Sequence, residues 1–318
     1  MLPVSVAVCT HNPRRDYLHR TLEALRAQTL PRDDWELVVV DNASDARIDE
    51  TCSLEWHARA RHAREERLGL TPARLRAIAE TTGELLIFVD DDNVLAPDFL
   101  AAARSLHSRH PNLPVFGAGT IEPEFEIPPP AEIRPLLHML ALRTVPAARS
   151  SNNPRDHASI PWGAGLCVSR PLASRYGQFV ERLGTYGVLD RKGNELFSGG
   201  DDVLSWLAAS LGAGFGIFPE LRVTHLIAAA RLNERYFLKL IQDQAFSGRL
   251  LHYVLAGVHP RRIGPVRYLH VLLHGIRRGR FSMWCQWAES RGEDRAARFI
   301  AANRLLPAAL APAAETGS

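Results

Sequence analysis

Apolar residues in the first hundred positions follow two alternating patterns. "VSVAVC" (4–9), "ELVVV" (36–40) and "LLIFV" (85–89) are short runs, rich in β-branched residues and with no polar alternation. Such runs read as strands covered on both faces. Between them, apolar residues recur at helical spacing. Leu18, Leu22 and Leu25 form one set; Leu75, Ile78 and Ala79 form another, within a helix expected over Arg74 to Thr82. Asn12-Pro13 offers an N-cap with proline at the first helical position. Buried strands separated by helices predict a parallel α/β sheet.

Sheets of this kind bind ligands beyond the carboxyl ends of their strands. Thr10, His11 and Asn12 follow the first strand, Asp41 and Asn42 the second, and Asp90, Asp91 and Asp92 the third. Three polar clusters therefore converge on one edge. Adjacent carboxylates repel each other. A hard divalent cation, Mn2+ or Mg2+, relieves the repulsion and neutralises a diphosphate. A solvated or helix-capping aspartate run is the plainer explanation, but the position after a buried strand favours the cation. In an extended segment Asp90 and Asp92 would share one side and Asp91 the other. Asp41 by itself reads as a turn residue in Asp-Asn-Ala-Ser.

Further along, "EPEFEIPPPAEIRP" (122–135) is a proline-rich connection that is not expected to be helical. "SSNNPRDHASIP" (150–161) is a polar loop, and "WGAGLCVS" (162–169) is strand-like. "GGDDVLSWLAASLGAGFGIF" (199–218) reads as a short helix stopped at Gly212 and followed by a strand. The chain is helical and arginine-studded from about residue 228 by its apolar spacing, and the tail "LLPAALAPAAETGS" (305–318) is expected to be disordered.

Composition narrows the function by exclusion. With 46% apolar and 23% charged residues and a net charge of +3, the 318-residue chain is an ordinary globular protein with no bulk-charge case for nucleic acid. Its four cysteines form no C-x-x-C pair, which argues against a zinc ribbon or a disulfide framework and for a reducing compartment. The N-terminus lacks a signal-peptide pattern, and no apolar run reaches the roughly 20 residues of a spanning helix. A cytoplasmic location is expected, peripheral at the inner face of a membrane if the C-terminal region touches lipid. "HPRRIGPVRYLHVLLHGIRRGRF" (259–281) flanks an apolar stripe with arginines. It reads first as a helix packed on the domain, and second as a contact with an acidic membrane surface or a lipid diphosphate.

Three segments together carry a family resemblance: "VSVAVCTHNPRRDYLHRTLEALRAQTLPRDDWELVVVDNASD", "GLTPARLRAIAETTGELLIFVDDDN" and "SGGDDVLSW". They resemble the family-2 glycosyltransferases, over about residues 3–227 and most densely over 3–100. The resemblance implies a GT-A fold, with a Rossmann-like, mostly parallel sheet flanked by helices. It divides the chain into a nucleotide-sugar-binding half (1–120), an acceptor-binding and catalytic half of the same domain (121–227) and a helical C-terminal region (228–318). It also implies a nucleoside-diphosphate sugar donor, with a UDP-sugar the commonest case.

On that resemblance Thr10, Asn12 and Asp41 hold the nucleotide, with His11 and Arg14 on the same loop. Asp90 or Asp91 lies near the ribose, and Asp92 lies on the metal. Arg74 matches the arginine of a family stretch in which Leu75 replaces the usual asparagine. Asp202 matches the family's base and would take the acceptor's proton during inverting displacement; Asp201 replaces a glutamate beside it. Helix capping is the plainer reading of that pair. His225, in "RVTHLI", is a second candidate for metal or phosphate, though a lone histidine is usually a structural group. Trp162, Gly163 and Ala164 would form an acceptor or sugar floor, with a core role the equal reading for Trp162; Trp206 reads as core.

Transfer one sugar at a time is expected, because neither Gln-x-x-Arg-Trp nor spanning helices occur. The acceptor is left open among a glycan, a lipid-linked and a small-molecule hydroxyl. Two rivals remain. A sugar-nucleotide nucleotidyltransferase would want a glycine-rich loop where "THNPRR" stands. A non-catalytic sugar-nucleotide-binding domain would not need carboxylates at both 90–92 and 201–202. No P-loop or G-x-G-x-x-G follows the first strand.

Overall fold

The computed structural model describes residues 3–183, 196, 199–260 and 262–303, so the tail expected to be disordered lies outside the described residues. The first half alternates β1 (Val4–Thr10), α1 (Arg15–Arg26), β2 (Trp35–Asn42), β3 (Ala60–Glu65), α2 (Leu70–Glu80) and β4 (Leu85–Asp90). It continues through β5 (Asn93–Leu95), α3 (Phe99–Arg109) and β6 (Val115–Phe125). The second half adds β7 (Arg143–Thr144), β8 (Arg149–Ser151), β9 (Leu166–Ser169), α4 (Arg170–Leu183), α5 (Gly200–Ser210) and β10 (Phe215–Ile227). Three helices follow: α6 (Glu234–Ala256), α7 (Pro265–Arg278) and α8 (Arg280–Asn303).

All ten strands join one sheet in the order β3-β2-β1-β4-β9-β6-β10-β5, with β7 beside β6 and β8 beside β10. The strands β1, β2, β3, β4, β6 and β10 run the same way, and β9 opposes both of its neighbours. This is the mostly parallel α/β sheet flanked by helices that was expected. The sheet spans residue 120 without a break, because β6 crosses it, and β10 ends at Ile227.

Alternation along the central strands explains why their sequences are apolar throughout. Val4, Val6 and Val8, Leu37 and Val39, and Ile87 and Val89 pack with Leu18, Leu22 and Leu25 of α1 and Phe99 and Leu100 of α3. The intervening Ala7, Val38, Val40, Leu86 and Phe88 pack with Ala73 and Ala77 of α2, Leu172 of α4, Leu204 of α5 and Phe246 of α6. Each fully buried side chain of this size contributes about 1.5–3 kcal/mol of transfer free energy.

Four local expectations are corrected. Asn12 does not cap α1: its φ of 47° is left-handed, whereas an N-cap is extended, and the helix starts at Arg15. Helix α2 starts at Leu70 and ends at Glu80, because Gly69 at φ 140° turns the chain and Pro72 sits in the first turn, where no N–H is needed. Within 162–169, Gly165 at φ 70° makes a turn, so only Leu166–Ser169 is strand. The 122–135 connection starts as the outer end of β6, paired from Thr120–Phe125 to Arg222–Ile227, and becomes a 3-10 helix over Ala131–Leu140.

The edge opposite the polar clusters is closed by a buried carboxylate. Glu36 accepts from Ser5 Oγ at 2.8 Å, Thr82 N–H at 2.6 Å and Arg61 Nη1 at 3.1 Å. Burial by itself would raise its pKa, but the hydrogen bonds from Thr82, Ser5 and Arg61 outweigh it and hold the carboxyl below its ordinary value. A lowered folded pKa stabilises fully above the unfolded value of about 4.3, and the gain is lost as pH falls through the folded pKa. Glu36→Gln is expected to cost about 2 kcal/mol at neutral pH and to flatten the acid limb of the stability–pH curve, read by urea denaturation at stepped pH.

Candidate active site

A cavity of 1280 Å³ opens at the carboxyl ends of β1 and β4 and runs to α6 and α8. Of the residues singled out from the sequence, Thr10, His11, Arg74, Asp90, Asp91, Asp92, Trp162, Gly163, Ala164, Asp201, Asp202 and His225 line it. Asn12 and Arg14 line a smaller adjoining pocket of 170 Å³, which Asp91 and Asp92 also reach. Asp41 lines neither.

The loops after β1 and β2 are tied to each other. Asn12 N–H donates to Ser44 Oγ at 2.9 Å, and Asn12 Oδ1 accepts from Asp45 N–H at 2.9 Å. His11 Nδ1 lies 2.8 Å from the Asn42 carbonyl. Asp41 is buried beneath this clasp, where one carboxylate oxygen accepts from Ser44 N–H at 3.0 Å and the other from Arg64 Nη1 at 2.6 Å. Its neighbour Asn42 reaches the cavity and accepts from Gly69 N–H at 2.7 Å, fixing the start of α2. Arg14 pairs at the surface with Asp16 at 2.6 Å and Glu126 at 2.9 Å.

The three aspartates do not alternate sides as an extended chain would make them. Strand β4 ends at Asp90, residues 91 and 92 form a turn into β5, and all three line the cavity. Asp91 accepts from Thr10 Oγ1, which fixes it against β1. Asp92 Oδ1 accepts from Asn93 Nδ2 at 2.9 Å. Asp92 Oδ2 faces His225 Nε2 at 3.3 Å and Arg231 Nη1 at 3.0 Å.

Strand β10 delivers His225, in register with Asn93 of β5. His225 Nε2 is also 3.1 Å from Arg231 Nη1, and Nδ1 has no hydrogen-bond partner among the described residues. Arg231 also donates from Nε to Tyr236 Oη at 3.1 Å. Nothing in the sequence singled out Arg231; it lies outside the resembling segments, and its role depends on the turn after β10.

Helix α5 supplies Asp201 and Asp202 in its first turn. Asp201 Oδ1 accepts from Arg74 Nη1 at 2.9 Å, and Arg74 is only 2% exposed. Gly163 covers this pair: a Cβ there would lie 3.0 Å from Arg74 Nη2 and 3.3 Å from Asp201 Oδ2. One face of the Trp162 ring is taken by the Arg143 guanidinium, 3.3 Å from the ring centroid. Burial lowers the pKa of Arg143 to about 10. The cavity is also lined by the 138–141 segment, Arg155, His157, Arg249, His252 and Val258.

The donor set suits a hard cation held jointly with substrate. Asp92 Oδ2 and His225 Nε2 meet 3.3 Å apart, an oxygen and a nitrogen of the kinds that bind such ions. Among the described residues no group of three or more such side chains is placed to hold a metal by itself. Mg2+ and its analogues often take one or two protein ligands and fill the rest with water and phosphate oxygens.

Residues 5–138 match the sequence model of "Glycosyl transferase family 2". That match covers 134 of the 318 residues. The family segment thus holds β1 to β6, the aspartate triplet and Arg74. The glucosyl-dolichyl phosphate glucuronosyltransferase of Haloferax volcanii is 26% identical over 127 residues, covering 39% of this chain and 40% of that protein. EpsH of Bacillus subtilis is 32% identical over 100 residues, covering 30% of this chain and 28% of that protein. This chain therefore spans well under half the length of these curated relatives. Among solved structures, S. aureus TarS 1-349 superposes with a TM-score of 0.48 at 13% identity, covering 95% of this chain and 92% of that one.

Breaking a buried ion pair leaves an unpaired charge. Arg74→Ala is expected to destabilise the protein by about 2–3 kcal/mol, the lower side of the usual range because Asp201 is partly solvated. Urea denaturation with an unchanged m-value checks it.

Proposed function

We propose that the protein is an inverting, non-processive glycosyltransferase that moves a sugar from a nucleoside-diphosphate sugar to a hydroxyl acceptor with the help of Mn2+ or Mg2+. The observation that carries this reading is that Asp92 of the family segment and Asp202 of α5 open onto one cavity. The base and ribose of the donor would lie along Thr10, His11, Asn42, Asp90 and Asp91. The diphosphate would lie toward Asp92, His225 and Arg231. A UDP-sugar is the favoured donor by family frequency.

The reaction needs one new bond and one broken bond. The acceptor oxygen attacks the anomeric carbon as the bond to the diphosphate oxygen breaks. Asp202 takes the acceptor's proton. Arg74 neutralises Asp201, so Asp202 does not face an uncompensated like charge from that neighbour. Arg231, whose guanidinium lies 3.0 Å from Asp92 Oδ2, would face the negative charge that builds up on the departing diphosphate, and a preorganised donor there would stabilise the transition state. The cation, when bound, supplies Lewis-acid stabilisation of that leaving group. The acceptor, whether glycan, lipid-linked or small molecule, would enter on the side of α6 and α8, over Trp162, Gly163 and Ala164. A cytoplasmic enzyme with peripheral contact at the inner membrane face fits this reading. Among the described residues no helix is long and apolar enough to cross a membrane.

Two measurements test the reading. Slow Mn2+-dependent release of diphosphate from UDP-, GDP- or dTDP-sugars is expected, and Asp92→Ala is expected to abolish it; metal-independent release that survives the substitution would refute the role of Asp92. Asp202→Asn is expected to lower kcat about 10²–10⁴-fold, the usual worth of a general base, while the thermal shift caused by the nucleotide stays unchanged.

A further inference from the structure

Helix α7 divides its surface in two. Val271 is fully buried, the Tyr268 ring meets Trp287 of α8 at 4.8 Å between centroids, and Arg267 Nε reaches Ser290 Oγ at 3.4 Å. Gly275 lies against Met283, close enough that a Cβ would come within 2.7 Å of its sulfur. One side of the helix is thus packed on α8. On the other side Val266, Leu269, Leu272 and Leu273 are 64%, 56%, 49% and 50% exposed. Their spacing puts them on one stripe. Trp284, in the first turns of α8, is 40% exposed. Five of the nine exposed large apolar residues of the described chain therefore lie within nineteen consecutive positions, 266–284. Scattered exposed leucines need no explanation, but a stripe of them does.

Charge identifies the occupant. Between Asp243 and Glu289 the chain has seven arginines and no aspartate or glutamate. Arg262 just before α7 and Arg280 just after it are exposed. An apolar stripe bracketed by exposed arginines, on a helix too short and polar to span, matches the interface of a bilayer with negatively charged headgroups. A second protein chain would satisfy the leucines but gives no reason for the missing carboxylates.

We propose that α7 lies on an anionic lipid surface, with Val266, Leu269, Leu272 and Leu273 in the acyl boundary and Arg262 and Arg280 among the headgroups. This specifies the element and the lipid charge for the peripheral contact in the proposed function. Lipid binding and nucleotide binding are separately measurable, so failure of one leaves the other standing.

The test is flotation of the full chain with phosphatidylcholine vesicles, with and without phosphatidylglycerol. Binding is expected only with phosphatidylglycerol, weakening as salt rises. Arg262→Ser with Arg280→Ser is expected to lower the partition coefficient roughly tenfold or more. Leu269→Glu with Leu272→Glu is expected to abolish binding, while the nucleotide-induced thermal shift and the melting temperature stay as in the parent. Both leucines are exposed, so these variants are not expected to unfold the chain. Absence of vesicle binding, or equal binding to both vesicle types, overturns the proposal. So does a stable dimer by sedimentation velocity that the leucine variant dissociates while vesicle binding is unchanged.

Discussion

A buried guanidinium joins the two halves of this molecule. Arg74 belongs to α2 in the first half, Asp201 to α5 in the second, and their bond lies under Gly163. An arginine excluded from water must keep an anionic partner, because an unpaired buried charge is far more costly than any packing contact that could replace it. That requirement fixes the distance between α2 and α5, the helix that also carries Asp202. The cavity between them is held at a set width by electrostatics as well as by packing.

The remaining charges follow the same logic. Five aspartates, at 90–92 and 201–202, line one cavity, and Arg74, Arg231 and His225 stand among them. The strand ends that present the triplet are themselves anchored: Thr10 holds Asp91, and the Asn12–Ser44–Asp45 clasp ties the loops after β1 and β2. Asp41 belongs to this scaffolding. Its two oxygens are engaged by Ser44 and Arg64, so it shapes the floor from beneath while Asn42 reaches the cavity. Rigid support of this kind is what lets a polar site keep its geometry.

How much of this was legible in the sequence depended on whether local chemistry decided the outcome. The strands at 4–10, 35–42 and 85–90 announced themselves because they are covered on both faces, and the polar residues at their ends marked the site edge. Strand β3 did not, because "ARHARE" lies at the sheet's border, with mostly half-exposed side chains and no apolar run. Asn12-Pro13 misled because the capping signal is local, whereas the left-handed turn at Asn12 is set by contacts to Ser44 and Asp45 thirty residues away. Arg231 was invisible for a similar reason: nothing near it in the chain says that the turn after β10 will bring it to Asp92.

At the crossing of α6 and α8, a methyl group on Gly292 would sit 2.1 Å from the carbonyl oxygen of Gln242. One turn to either side the sequence has Ala288 and Ala296. Sliding α8 by a turn would push one of those methyls into a gap that admits only hydrogen. A one-turn slide in either direction is therefore excluded, as a key is by a single notch. Glu289 and Glu293 of α8 line the cavity beside Gln244, Gly248 and Arg249 of α6, so this notch also sets how the two helices share that wall.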